Sequence, residues 1–456
     1  MRIAVVFACL AILFGTARAA ENPGPDHPLL HGIAGDIKPG ELEATITRLV
    51  SFGTRHTLSD TESTTRGIGA ARRWVKSRFI EIGRRCGGCL RIETPVQTIS
   101  GERIPSAASV MDILAIQRGT SDPDRIIVIS GHIDSRVTDV MNATADAPGA
   151  DDDGSGTAAV LEAARVLSRH KFAATLVYAV LSGEEQGLYG GKLLAQYAQD
   201  HKWQVEADLN NDIIGNITGE NGVSDATHVR IFSEGTRSTE TPKEAERRRY
   251  NGGEVDSASR NVARFISDIA DTYLTNFSVR MVYRTDRFSR GGDQVPILAA
   301  GFPAVRFTEA IENYTHEHQD VRTAGGVEYG DLLKFVDFSY LAQVTRLNAL
   351  TMAALAMAPA PPATVKIEGS VAHDTTVSWT KVAGSASYCV WWRDTTAPFW
   401  TNSRSAGGDA TSLVLKDITI DDWFFGVSSV SADGYESPVE FPGVAGAFIP
   451  PVPTPG

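Results

Sequence analysis

The chain has 456 residues, 42% of them hydrophobic and 21% charged, with a formal net charge of -12 at pH 7. That length exceeds what one core usually fills, so two or more domains are expected. The acidic balance excludes nucleic acid and anionic membranes as main partners, because both select clustered lysine and arginine.

Residues 1–19, MRIAVVFACLAILFGTARA, place Arg2 before an apolar run and end on Ala17 and Ala19 in an A-x-A pattern. This is the layout of a cleaved export signal. The run is too short to span a bilayer, and no later stretch reaches the ~18 apolar residues a spanning helix needs. The sequence therefore predicts an exported chain, periplasmic or secreted, with no membrane span. Cys86 and Cys89 flank two glycines and are read as a local disulfide of an oxidising compartment; Cys389, in an apolar strand pattern, is read as a buried free thiol.

Helical periodicity over residues 40–52 and 70–82 precedes strand-like segments at 91–100 and 108–118. From there strand and helix alternate: RIIVISGH, a helix over 155–169, ATLVYAVLS, a helix over 188–198, then ADLNND and, later, the strand PAVRFTE. Such alternation predicts an α/β fold with a mostly parallel mixed sheet flanked by helices. A helix-like stretch over 331–357 ends in APAPP, a stiff linker. Beyond it TVKIEGSV, TTVSW, SYCVWWR, SLVLKD and WFFGVSSVSA are short strands divided by turns, which predicts a C-terminal all-β sandwich. Trp391, Trp392, Trp400 and Trp423 are read mainly as its core, with contact to a surface or polymer as the alternative.

The chemistry-bearing side chains fall at the ends of these strands. His132 lies in GHIDS, Asp152 in GADDDGSG, Glu184 and Glu185 in SGEEQG, Asp212 in NNDIIGN and His316 in NYTHEHQD. Open α/β sheets bind ligands at the carboxyl ends of their strands. Catalytic zinc takes histidine and carboxylate ligands and keeps a position open. Two histidines and three carboxylates serve two such ions if one carboxylate bridges, and a spare glutamate remains as a base.

The motifs, in this order, resemble peptidase family M28, the zinc-dependent aminopeptidases: GHIDS, PGADDDGSG, SGEEQGLYGG, a strand ending in Asp212, and a late HxxxD formed by His316 and Asp320. The resemblance covers residues 41–357, and the C-terminal segment looks like a fibronectin type III domain. It implies two Zn2+ ions bridged by Asp152, one completed by His132 and Asp212 and the other by Glu185 and His316. Glu184 would be the catalytic base, and Asp134 would act beside it by fixing the ring of His132. His318 does not meet the family spacing and is read as an outer or solvent-facing residue. Where many relatives carry an Asp-His pair, this chain has Asp293 followed by Gln294. Asp293, Arg290 and Ile213 are the candidates for the substrate pocket, and Arg287 and Arg290 for meeting an acidic group or a peptide carboxylate, against the plainer role of solvated loop charges. The expected divisions are signal 1–19, peptidase 20–357, linker 358–363, β-sandwich 364–446 and Pro-rich tail 447–456. The expected activity is removal of residues from peptide or protein N-termini. The alternatives are an acyl transfer that cyclises N-terminal glutamine, associated on this fold with one zinc, and non-catalytic binding.

Overall fold

The computed structural model describes residues 26–443, so the expected signal and Pro-rich tail lie outside the described residues. Strand segments with uninterrupted burial set the architecture. Ala174–Leu181 is buried at every position, which requires cover on both faces of its sheet.

In chain order the strands before the linker are Leu90–Glu93 (β1), Val96–Gly101 (β2), Ile104–Met111 (β3), Ile113–Gln117 (β4), Asp122–His132 (β5), Ala174–Leu181 (β6), Gln204–Asn211 (β7), His228–Phe232 (β8), Ser278–Val282 (β9), Ala304–Glu309 (β10), Arg322–Ala324 (β11) and Val327–Tyr329 (β12). Eight form one sheet in the order β1-β4-β6-β5-β7-β10-β8-β9. The central strands β6, β5, β7 and β10 run parallel, so their carboxyl ends meet at one edge. Antiparallel pairs β1-β4, β4-β6 and β10-β8 flank them.

The helices are Pro28–Asp36 (α1), Pro39–Val50 (α2), Gly67–Arg85 (α3), Gly154–Leu167 (α4), Tyr189–Asp200 (α5), Pro242–Asn251 (α6), Ala258–Tyr273 (α7), Gln294–Ala299 (α8) and Phe338–Met357 (α9). α1 to α4, α7 and α9 cover one face, where Leu42, Val75, Leu161, Ile266 and Leu350 join Ile127, Ile129 and Leu209 of the sheet. α5 and α8 cover the other, with Leu194 and Ile297 on Val128, Val177 and Val205. The strand period of two sends alternate side chains into these two cores. Among the described residues no helix is long and apolar enough to cross a membrane.

Several boundaries differ from the sequence reading. Segment 91–100 is cut at Pro95, which cannot donate to a ladder, and 108–118 is cut at Asp112. Asp112 is fully buried, its N–H on Pro95 O at 3.1 Å and its Oδ1 taking Ser182 N–H at 3.0 Å. Only β1 and β4 enter the large sheet; β2 and β3 form a separate hairpin. The helix expected from 331 starts at Phe338, where the Asp337 carboxylate caps Ser339 and Tyr340 N–H, each at 2.9 Å.

Beyond residue 358, Val365–Glu368 (β13), Thr375–Trp379 (β14) and Ser412–Leu415 (β17) form one antiparallel sheet. Ser387–Asp394 (β15), Asn402–Gly407 (β16) and Trp423–Val430 (β18) form another. Val377, Trp379, Tyr388, Val390, Phe425 and Val427 fill the space between them as a sandwich core. Trp392 and Trp400 are buried, while Trp391 and Trp423 are half-buried. Cys86 and Cys89 are disulfide-bonded. Cys389 is free but half-buried rather than enclosed.

Candidate metal centre

Four chain segments leaving the parallel strands converge at one edge of the sheet. β5 ends on His132, whose Nε2 lies 3.3 Å from Asp152 Oδ1 and 3.8 Å from Asp212 Oδ2. His318, from the loop after β10, places Nε2 2.8 Å from Asp152 Oδ2 and 3.2 Å from Glu185 Oε1. Two donor clusters result: His132, Asp152 and Asp212, and Asp152, Glu185 and His318. The two Asp152 oxygens face different clusters, as a bridging carboxylate must.

The second histidine corrects the reading of His316. His316 stacks on the Phe335 ring, centroids 3.6 Å apart, and burial lowers its pKa. A tight turn, with His316 and Glu317 N–H both on Asn313 O, precedes His318, whose φ of 51° reverses the chain. That reversal carries the His318 ring into the centre, and spacing alone could not reveal it.

The three consecutive aspartates are sorted by their hydrogen bonds. Asp153 takes the N–H of His132 and of Gly156, each at 2.8 Å, and so caps α4. Asp151 takes Gly215 N–H at 2.7 Å. Only Asp152 of the three faces the other donors. Its loop is held by residues that carried no local signal. The Asp331 carboxylate takes Asp151 N–H at 2.9 Å and Asp152 N–H at 2.7 Å. Arg55, fully buried, donates to Ile133 O, Pro148 O and Gly149 O at 2.6, 2.6 and 2.8 Å.

Asp134 is placed beneath the Glu184-Glu185 loop. Its Oδ1 takes Gly183 N–H at 2.8 Å and Glu184 N–H at 3.4 Å; its Oδ2 takes Glu185 N–H at 3.2 Å and the Thr57 hydroxyl at 2.8 Å. The ring of His132 is oriented more by the backbone, Nδ1 lying 3.1 Å from Asp134 O and 3.7 Å from its Oδ1. Glu184 is half-buried and belongs to neither cluster. Burial pushes its carboxyl well above the ordinary range; Glu185, Asp212 and Asp293 add to this, and His132 works against it.

The pocket candidates take other positions. Ile213 is buried, with its carbonyl on Thr308 Oγ1 and Glu309 N–H. Asp293 is fully buried, holds Gly191 N–H at 2.9 Å, and is pushed up to about 7, first by burial. Arg290 spans Glu312 at 2.8 Å and Glu317 at 3.1 Å, tying its loop to the one that carries His318. Arg287 is likewise engaged, with Asp286 and Glu312.

The donor set fits a pair of zinc ions. His132 Nε2 and Glu185 Oε1 are buried and make no hydrogen bond, so both are open to an ion at the two clusters. Burial opposes charge on His132 and His318, yet the surrounding carboxylates overcome it and favour positive charge at both rings. Imidazole and carboxylate donors with a shared aspartate suit zinc.

Comparison with known proteins agrees with this geometry. Residues 112–325 match the model of peptidase family M28. A "Probable zinc metalloprotease" of Leptosphaeria maculans is 43% identical over 92% of this chain and 98% of its own length. One of Pyrenophora tritici-repentis is 42% identical over 92% and 88%. Among solved structures, LapB of Legionella pneumophila aligns with a TM-score of 0.52 at 17% identity over 72% of this chain and 75% of its own. The LapA aminopeptidase of the same organism aligns with 0.51 at 18% over 76% and 79%. At these identities the two structures establish likeness of fold.

Proposed function

The chain belongs to peptidase family M28, and we infer from the site just described that it is a di-zinc aminopeptidase releasing residues from the N-termini of peptides. The observation that carries this reading is the pair of donor clusters sharing Asp152. His132 and Asp212 would complete one zinc site, and Glu185 and His318 the other. Two zinc ions so held supply Lewis acidity, polarising the scissile carbonyl and acidifying water.

The remaining work falls to the chain's own groups. Glu184, beside the clusters but outside them, takes the proton of the attacking water on its carboxylate and returns one to the leaving amine. Asp134 keeps that carboxylate in place through the N–H groups of residues 183–185. Arg306 Nη1, on β10, lies 2.7 Å from Asp212 Oδ2, is itself fully buried, and fixes that carboxylate.

Export is part of the same proposal, supported by the pattern of residues 1–19, and so are the divisions at 19, 357, 363 and 446. The two three-stranded antiparallel sheets support a fibronectin type III-like reading of the C-terminal module.

The test is a panel of aminoacyl anilides with metal analysis on the purified chain. Release of free amine by protein carrying two zinc ions is expected, with Glu184→Gln lowering kcat by about 10^2- to 10^4-fold at unchanged zinc content. A zinc-loaded chain that closes N-terminal glutamine to pyroglutamate and releases no amino acid from the panel would be a cyclase instead.

A further inference from the structure

β2 and β3 stand apart from the large sheet as a two-stranded hairpin. β4 begins at the edge where β6 ends, Ile113 pairing with Val180, so the hairpin that leads into it rises from the edge that bears the donor clusters. Its turn is held there by Arg103, whose Nη1 donates to Glu185 O at 3.2 Å. The two long sides of the hairpin differ. Asp112 N–H bonds the opposing Pro95 O at 3.1 Å, which makes 97–110 and 99–108 the hydrogen-bonded pairs and turns the N–H and C=O groups of Val96, Thr98, Ser109 and Met111 outward. On the β3 side the domain closes the edge: Arg72 Nη1 donates to Ser109 O at 3.2 Å and Ser182 Oγ to Met111 O at 2.8 Å. On the β2 side the backbone groups of Val96 and Thr98 bond to none of the described residues, and every residue of the strand except Ile99 is exposed.

An open strand edge templates the pairing of another chain, and proteins blunt such edges with charge, proline, brevity or cover. The other edge strands of this chain are blunted. β1, β9, β13 and β16 carry Arg91, Arg280, Lys366 and Arg404; β11, β12 and β17 are three or four residues long; β18 is covered by bridges at Val427 and Val430. β2, with the sequence VQTISG, runs six residues with neither charge nor proline. A two-stranded hairpin is also marginal in water, where three or more strands are needed. A further strand on β2 would meet both deficits.

We infer that this strand is β2 of a second copy, paired antiparallel across a two-fold axis at Thr98 to give a four-stranded sheet in the order β3-β2-β2-β3. Identical edges are self-complementary in that arrangement, because the outward groups recur every second residue: Thr98 meets Thr98, and Val96 of each copy meets Ser100 of the other. The charges favour it. Each end of the edge is neutral in sum, Arg91 with Glu93 at one and Glu102 with Arg103 at the other, so two copies meet here without the repulsion that a net charge of -12 imposes on the surface as a whole. A six-residue edge buries less than the ~1,200 Å2 of a standard interface, so the dimer is a weak, concentration-dependent one.

Sedimentation velocity of the purified full-length chain from about 1 to 300 μM should show monomer passing reversibly into dimer, with hydrogen exchange at the Val96 and Thr98 amides slowing over the same range. Thr98→Lys and Thr98→Glu each set like charges together at the axis and should weaken association by about tenfold or more, while an equimolar mixture of the two should restore it as a heterodimer. A chain that stays monomeric throughout, a dimer that either substitution leaves intact, or a mixture that does not pair overturns the inference. So does a dimer whose Val96 and Thr98 amides exchange as fast as the monomer's, since it assembles through another surface. The exchange measurement needs no variant and decides the matter even if a substituted chain does not fold.

Discussion

His316 and His318 stand two residues apart, and the difference between them is conformational. The positive φ of His318 aims its ring at Asp152, while His316 is spent on the Phe335 face. His318→Ala should therefore cost one zinc ion and lower kcat/KM beyond the ~10- to 100-fold typical of losing an outer partner. His316→Ala should keep both ions and most of the activity. Metal analysis of the two variants checks this, and zinc loss in the His316 variant instead would restore the spacing argument. Asp208 carries a second prediction. It is buried on β7 with its Oδ1 on Ser130 Oγ at 2.8 Å. Burial, with Asp293 adding to it and the Ser130 bond opposing, pushes it up to about 7. The unfolded chain loses that proton near pH 4, so the folded state binds more protons between about 4 and 7 and loses stability as pH rises through that window, by up to ~4 kcal/mol. Asp208→Asn has no such loss. Its Tm advantage over the wild type should grow from pH 4 to pH 8 and then level; a constant difference would mean that Asp208 is ionised throughout. Residue types were legible in the sequence because zinc chemistry restricts them, and their order because it resembles that of peptidase family M28. The direction in which a loop points a side chain was not, because it depends on bonds made far along the chain.

At the scale of the element, the parallel strands were legible because burial on both faces demands unbroken apolar runs, as in β6. β8 and β9, half-buried in part, carry weaker patterns that do not stand out in the sequence. The loop that positions Asp152 was legible only as a glycine- and aspartate-rich stretch. Its geometry is imposed by Arg55, which comes from a turn after α2 and closes three carbonyls of the loops after β5. An unmet buried carbonyl costs about 1–3 kcal/mol. Arg55→Met should therefore lower the Tm of the metal-free chain and, by loosening residues 148–153, weaken zinc at the His132 cluster by roughly 10- to 100-fold. Arg66, in the same N-terminal region but half-exposed in its pair with Asp146, is the control, since exposed pairs contribute at most about 1 kcal/mol. If both variants behave alike in thermal unfolding and zinc competition, the loop is held by something other than Arg55.

Over the whole molecule, the composition break at APAPP marks where the strand-rich module begins, but it does not show that the module is fixed to the catalytic part. Segment 358–362 is packed rather than free: Arg125 donates to Ala358 O at 2.6 Å and Ser429 to Ala360 O at 2.5 Å. The main attachment is ionic and buried. Arg393 of β15 gives Nη2 to both oxygens of Asp256, at 2.7 and 2.8 Å, and Arg264 of α7 gives Nη1 to the same carboxylate at 2.9 Å. The Trp400 ring lies against both guanidinium groups, and its Nε1 donates to Asn261 at 3.2 Å. Asp256 and Arg393 are 137 residues apart, and no local pattern relates them. A buried pair adds little over an apolar contact, but removing one partner strands the other and costs about 3–5 kcal/mol. Arg393→Met should accordingly lower the Tm, release the module, and expose the 358–363 segment to limited proteolysis. The donor clusters lie at the carboxyl ends of the parallel strands, whereas Asp256 is held near the carboxyl end of β8 by its neighbour Ser257, whose N–H bonds Gly235 O, and β8 runs antiparallel to β10 and so ends at the opposite edge. The Arg393 variant should thus retain both zinc ions below its Tm. Proteolysis at the segment with zinc retained is the expected result. Zinc loss at a temperature where the fold persists would mean that the module supports the site itself rather than the edge remote from it.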